Sequence, residues 1–240
     1  MDKETLENFR KAGKISAEAL EYGRELIRKG SKVLDVCNKV EDFVRGKGAG
    51  LAFPVQISMN EIAAHFCPED DDTQVFEDQV VCLDIGAEVN GAIGDNACTV
   101  DLSGTNSELV KASQEALKAA IEAVMMDETI GRIGKAIEDT ITGFGFQPVR
   151  NLSGHGLGVY SVHTGMTIPN YDTGEDIKLQ KDTVVAIEPF ATNGAGMIEE
   201  KGDASVFMLR GKKSARLGFV RDIMKQIEGY KGLPFTTRWL

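Results

Sequence analysis

Two kinds of side chain in this sequence have the type and setting to do chemistry: carboxylates inside apolar strand-like runs, and histidines beside glycines. Asp84 interrupts Val80-Val81-Cys82-Leu83-Asp84-Ile85, where an ionised group is costly unless it is paired or bound to a cation. Asp95 follows within a second run, Ala92 to Leu102, and Asn90-Gly91 between the runs is a strong hairpin signal. A turn there lays the runs side by side, so that both aspartates can face one point. Glu188 repeats the anomaly at the end of Val184-Val185-Ala186-Ile187. Like charges do not crowd unaided. The competing reading, unrelated buried acids held by Arg or Lys, is weakened because neither hairpin run contains a basic residue. His155 lies in Ser153-Gly154-His155-Gly156 and His163 in Ser161-Val162-His163-Thr164-Gly165, settings in which backbone is positioned rather than core filled. His65, after Asn60-Glu61-Ile62-Ala63-Ala64, is evenly balanced between an exposed ring and a functional one. Carboxylates with imidazole suit a divalent first-row metal, and a pair of such ions about 3.5–4 Å apart clamps a water between them.

The elements that must position these residues follow from periodicity. Apolar residues at helical spacing predict a helix over Leu6 to Lys29, stopped by Gly30-Ser31, and a second over Val33 to Val44. Leu51 to Val55 predicts extended structure, with Pro54 favouring an edge or a strand end. The acid run Glu69 to Asp72 reads as a solvated loop. After the hairpin come helices over Ser107 to Met126 and Thr129 to Thr142, then strand-like segments at Val149 to Leu152 and Thr183 to Phe190. The order helix, helix, strands occurs twice. It predicts an α+β fold of two similar halves, a sheet with helices packed on one face. Gly154, Gly156 and Gly158 lack a nucleotide-loop setting and read as room around His155.

Composition bounds the function. The 240 residues are 42% hydrophobic and 27% charged, an ordinary globular balance that can bury a core without disulfides. No apolar run approaches the roughly 20 residues of a membrane span. The first residues lack the plan of a secretory signal. Cys37, Cys67, Cys82 and Cys98 form no C-x-x-C pair, which predicts a reduced, cytoplasmic setting. The net charge of −10 disfavours nucleic acid as a partner. The basic stretch from Arg210 onward reads as a solvated helix.

With Asp84, Asp95, His155, His163 and Glu188 in this order, the sequence resembles the methionine aminopeptidases, specifically their type II, archaeal-like branch. The words Phe53-Pro54, Asn60 to His65, Asn151 to His155, Ile168-Pro169-Asn170 and Ala186 to Thr192 carry the likeness, together with Leu233-Pro234-Phe235. The resemblance covers essentially the whole chain. It implies the pita-bread fold, a pseudo-two-fold antiparallel sheet covered by helices, with residues 1–200 as the catalytic core and 201–240 as the start of a helical insertion. It implies two divalent metal ions (Co, Mn, Fe or Zn) held by Asp84, Asp95, His155 and Glu188. His65 and His163 would hydrogen-bond the substrate, and Glu188 would also handle the proton. Phe53, Pro54, Val162 and Phe190 would line the methionine pocket. The implied activity is removal of the initiator methionine from nascent polypeptides by a metal-bound hydroxide, with the ribosome as a candidate partner and no membrane.

The pattern departs from the family in one respect. The fifth ligand, a glutamate on a strand after the insertion, has no counterpart before Leu240. Truncation, or a second polypeptide supplying the closing strands, accounts for this more simply than substitution by Glu199, which repeats the eleven-residue spacing from Glu188. The alternative function is a catalytically impaired pita-bread binding module. An enzyme that removes X from X-Pro peptides is a third reading.

Overall fold

A computed structural model of the chain describes residues 1–211 and 215–240. The chain divides into two compact units: Met1–Leu102 with Gly158–Val162 and Gly202–Leu240, and Ser103–Leu157 with His163–Lys201.

In the first unit, helix α1 (Lys3–Leu26) starts where the Asp2 carboxylate accepts the Thr5 N–H at 2.8 Å, satisfying a donor the helix leaves open. It begins earlier than the apolar spacing predicted because the cap, not the first apolar residue, sets the start. Phe9, Ala12, Ile15 and Ala19 form its buried stripe. Helix α2 (Val33–Gly46) buries Val33, Val36, Cys37, Val40 and Val44. Both helices cover an antiparallel sheet of strands β1 (Gly50–Met59), β2 (Val80–Val89) and β3 (Ala92–Asp101), in the order β1-β2-β3. On β2 the alternate residues Val81, Leu83, Ile85 and Ala87 are fully buried toward the helices. Each larger one contributes roughly 1.5–3 kcal/mol by burial. Pro54 lies on the edge strand, where the pairing register shifts between Phe53 and Gln56, a place that tolerates a missing N–H. The predicted turn forms at Asn90 (φ 50°) and Gly91 (φ 84°), both left-handed as a two-residue hairpin requires.

The segment Gly202–Leu240 returns to this unit. Phe207 and Phe235 exchange two backbone hydrogen bonds of 2.8 Å. Further on, the Arg238 guanidinium meets the buried Glu41 carboxylate of α2 at 2.7 Å, and Trp239 Nε1 donates to the same carboxylate at 2.8 Å. Burial pulls the Arg238 guanidinium down, but the hydrogen bonds and charge of Glu41 outweigh it and hold the group above its ordinary value. Between these anchors a helix over Gly218–Gly229 buries Ile227 alone. The basic stretch therefore ends in a largely solvated helix, as predicted, with Lys212, Lys213 and Ser214 outside the described residues.

The second unit contains helices α3 (Ser107–Met125) and α4 (Ile130–Gly143), packed through Ala116 and Ala120 against Ile133, Ile137 and Ile141. Its strands are short: β4 (Gln147–Pro148), β5 (Ser153–Leu157), β6 (Thr167–Pro169), β7 (Val184–Ala186) and β8 (Ala191–Thr192). They form a sheet in the order β6-β5-β7 and a separate pair β4-β8. The strand expected at Val149 to Leu152 is instead the bend between β4 and β5. There the buried Asn170 amide donates to the carbonyls of Val149 (3.4 Å) and Leu152 (3.0 Å), taking the place of a ladder. The strand expected over Thr183 to Phe190 pairs only through Ala186, short of Pro189, which has no N–H to give a ladder. Among the described residues no helix is long and apolar enough to cross a membrane.

Candidate metal centre

The β2–β3 hairpin places its two aspartates by register alone. Asp84 pairs with Ala97 and Asp95 with Gly86, so the aspartates lie on one face at diagonal positions, opposite the face buried by the helices. Cys82 and Thr99 share that face one pair further along. Phe53 pairs with Gly86 from β1, and its ring occupies the space a side chain at residue 86 would fill. Phe53, an expected wall of the methionine pocket, is therefore fixed over the strand that carries Asp84. Pro54 is buried beside it, and Val162, in the same unit, is buried at 8% exposure. His65 lies on the loop after β1, exposed, with φ 66°.

The second unit assembles His155, His163 and Glu188. His155 sits at the centre of its sheet, paired with Thr167 on β6 and Ala186 on β7. Glu188 follows two residues beyond Ala186, and its Oε1 comes within 2.9 Å of His155 Nε2. On the other side of the ring, His155 Nδ1 lies 3.3 Å from the Gly156 carbonyl. A carbonyl only accepts, so the tautomer that makes this bond carries its proton on Nδ1, the form in which Nε2 can ligate a metal. Glu188 Oε1 is buried and, among the described residues, has no hydrogen-bond donor. An imidazole nitrogen and a carboxylate oxygen thus converge at short range, and the Nδ1–carbonyl bond is the outer support typical of a metal-ligating histidine. The donor set, imidazole nitrogen with carboxylate oxygen, fits a divalent transition metal.

The His163 ring packs edge-on to His155, with centroids 4.1 Å apart and planes at 62°. Gly156 makes this possible: its N–H and C=O bond Met166 and Thr164 at 3.1 and 2.8 Å, and the Thr164 hydroxyl takes the place of a side chain there. The glycines do provide room, and they provide it for the returning chain. Phe190 is half-buried, its carbonyl accepting the Val149 N–H at 2.8 Å. Glu199 is exposed and lies outside any strand, so no hairpin repeats the Asp84–Asp95 arrangement around it.

Sequence reasoning passed over Gln56, whose side chain is buried on the Asp84 face and accepts the His65 N–H at 3.0 Å. The available signal was a polar residue inside the apolar run Ala52 to Ile57. Glu41 was missed as well, for helical charges ordinarily face water.

Antiparallel sheets covered by helices, as here, are the architecture of the pita-bread metallopeptidases. The fold superposes on the crystal structure of the methionine aminopeptidase from Thermotoga maritima with a TM-score of 0.76, at 30% identity, over 84% of this chain and 85% of that one. The chain belongs to metallopeptidase family M24, whose profile matches residues 7–218. Its archaeal relatives are methionine aminopeptidases. That of Archaeoglobus fulgidus is 47% identical over 100% of this chain and 83% of its own length, and that of Methanocaldococcus jannaschii 41% identical over 100% and 82%.

Proposed function

We propose that this chain removes the N-terminal methionine of polypeptides, nascent chains in the cytoplasm foremost, as a metal-dependent aminopeptidase. The observation that carries this reading is the match, at 47% identity along the whole chain, to a methionine aminopeptidase. On this reading Asp84, Asp95, His155 and Glu188 would hold two divalent ions. When bound, these supply Lewis acidity toward the scissile carbonyl and lower the pKa of a coordinated water. Glu188 takes the proton from the attacking water and returns it to the departing amine. His65 and His163 hydrogen-bond the substrate amide and the developing oxyanion. Phe53, Pro54, Val162 and Phe190 form an apolar wall for the thioether, whose soft, unbranched chain fills such a pocket well.

The test is methionine release from a Met-Ala-Ser peptide by the purified 240-residue chain with added Mn or Co, alongside Asp84→Ala. Release by the parent and its loss in the variant are expected. Manganese titration by calorimetry gives a second readout: Glu188→Ala should weaken binding by more than the roughly 10–100-fold typical of an outer-shell change. Metal-independent release, or unaltered manganese affinity in both variants, would refute the reading.

A further inference from the structure

The backbone of His65 is held at both ends by side chains. A residue with a Cβ enters the left-handed region only where its surroundings hold it there, and His65 has φ 66°. From one side Gln56 Oε1 accepts its N–H at 3.0 Å. Gln56 pairs with Asp84 in the β1–β2 register, so this tether starts from the sheet face that carries the aspartates. From the other side, 140 residues along the chain, Ser205 Oγ donates to the His65 carbonyl at 3.1 Å. The same hydroxyl accepts the Cys67 N–H at 3.1 Å, so it spans the peptide groups on either side of Phe66. Between them, Phe66 gives its carbonyl to the Ile57 N–H at 2.9 Å. Ser205 is itself anchored, because Phe207, two residues on, is paired with Phe235.

We propose that Ser205 is a positioning residue for His65. Its hydroxyl, opposed by Gln56, fixes the left-handed backbone that aims the imidazole at the substrate, and the segment after Gly202 serves as the brace that delivers it. The assignment rests on the reading that His65 contacts substrate. A mere loop staple would leave the chemistry of His65 untouched, so the test must pass through that ring. Ser205→Ala should lower kcat for the Met-Ala-Ser peptide with Mn by about tenfold, the scale on which small misplacements act, with KM within about twofold. Ser205→Thr, which keeps the hydroxyl, should restore kcat. In a His65→Ala background the Ser205→Ala change should have no further effect, because the two act as one unit. Full kcat in Ser205→Ala, or an equal loss in both backgrounds, overturns the proposal.

Amide hydrogen exchange in the metal-free protein reads the same coupling without activity. The His65 N–H bonds Gln56, not Ser205, so its exchange should rise about tenfold in Ser205→Ala only if the hydroxyl holds the whole residue. Acceleration at Cys67 alone overturns the proposal. A parent chain that releases no methionine would count against the proposed activity, whereas the exchange result still decides the positioning.

Discussion

Strands β2 and β3 pair in unbroken register from Val80 with Asp101 to Val89 with Ala92, whereas β5 pairs with each neighbour over three residues only. The two regions carry the same kinds of side chain and hold them by different means. In the hairpin, alternation does the work. Leu83 and Ile85 go to the helices, and Asp84 between them goes to the other face. Around β5 there is too little ladder for that. His155 is set by its bond to the Gly156 carbonyl, His163 by packing against His155, and Glu188 by the irregular segment between β7 and β8. A long regular element tolerates change at the site and is intolerant in its core. A cluster of short strands is sensitive wherever backbone approaches backbone.

The largest effect should come from the hairpin's core face. Leu83→Ala, at a fully buried position, should cost about 2–5 kcal/mol in urea unfolding. Asp84→Ala, the next residue on the opposite face, should show no comparable loss. Equal losses would mean that the site face is as structural as the core face, and the contrast between the regions would fail.

Smaller effects should come from adding one methyl group in each region. In Gly156→Ala the new Cβ meets the Thr164 hydroxyl on a chain already bonded back to β5, and a shift there moves His163. Overpacking of this kind costs about 1–3 kcal/mol, and methionine release should fall with it. Gly86→Ala meets the ring of Phe53, itself buried, so a comparable stability loss is expected there. Urea midpoints compared with peptide assays check the pair, and a much smaller loss at Gly86 would place the looser packing in the hairpin.

The smallest effect concerns pH. Burial pushes the Cys98 thiol up to about 11 on the core face of β3. Above the ordinary thiol value the unfolded chain has lost this proton while the folded chain keeps it. Stability is therefore full below about pH 8.5, falls as pH rises toward 11, and levels off beyond. Cys98→Ala should flatten that alkaline slope between about pH 8.5 and 11. An unchanged slope would locate the alkaline loss elsewhere.

The placement of the hairpin aspartates was legible because β periodicity and a turn dipeptide are local properties: Asp84, Asp95 and Asn90-Gly91 reveal themselves without knowledge of neighbours. The helices were legible for the same reason, with ends displaced by a few residues where a cap such as Asp2 decides. The strands of the second unit were legible only as apolar runs. What shortens them, the Asn170 amide at the β4–β5 bend and Pro189 after β7, depends on residues far along the chain or on a missing donor.

The sequence by itself determined the chemistry on offer: carboxylates where apolar residues belong, imidazoles among glycines, and a family whose members are metallopeptidases. Tertiary structure alone decided which atoms face which. That His155 presents Nε2 to a buried Glu188 oxygen, that Glu41 is buried against Arg238, and that Ser205 and Gln56 grip His65 from its two sides are facts of chain return. Local propensity fixes where a side chain sits on its own element. Only the packing of distant segments fixes what lies within 3 Å of it, and hydrogen bonding and metal ligation act over that distance.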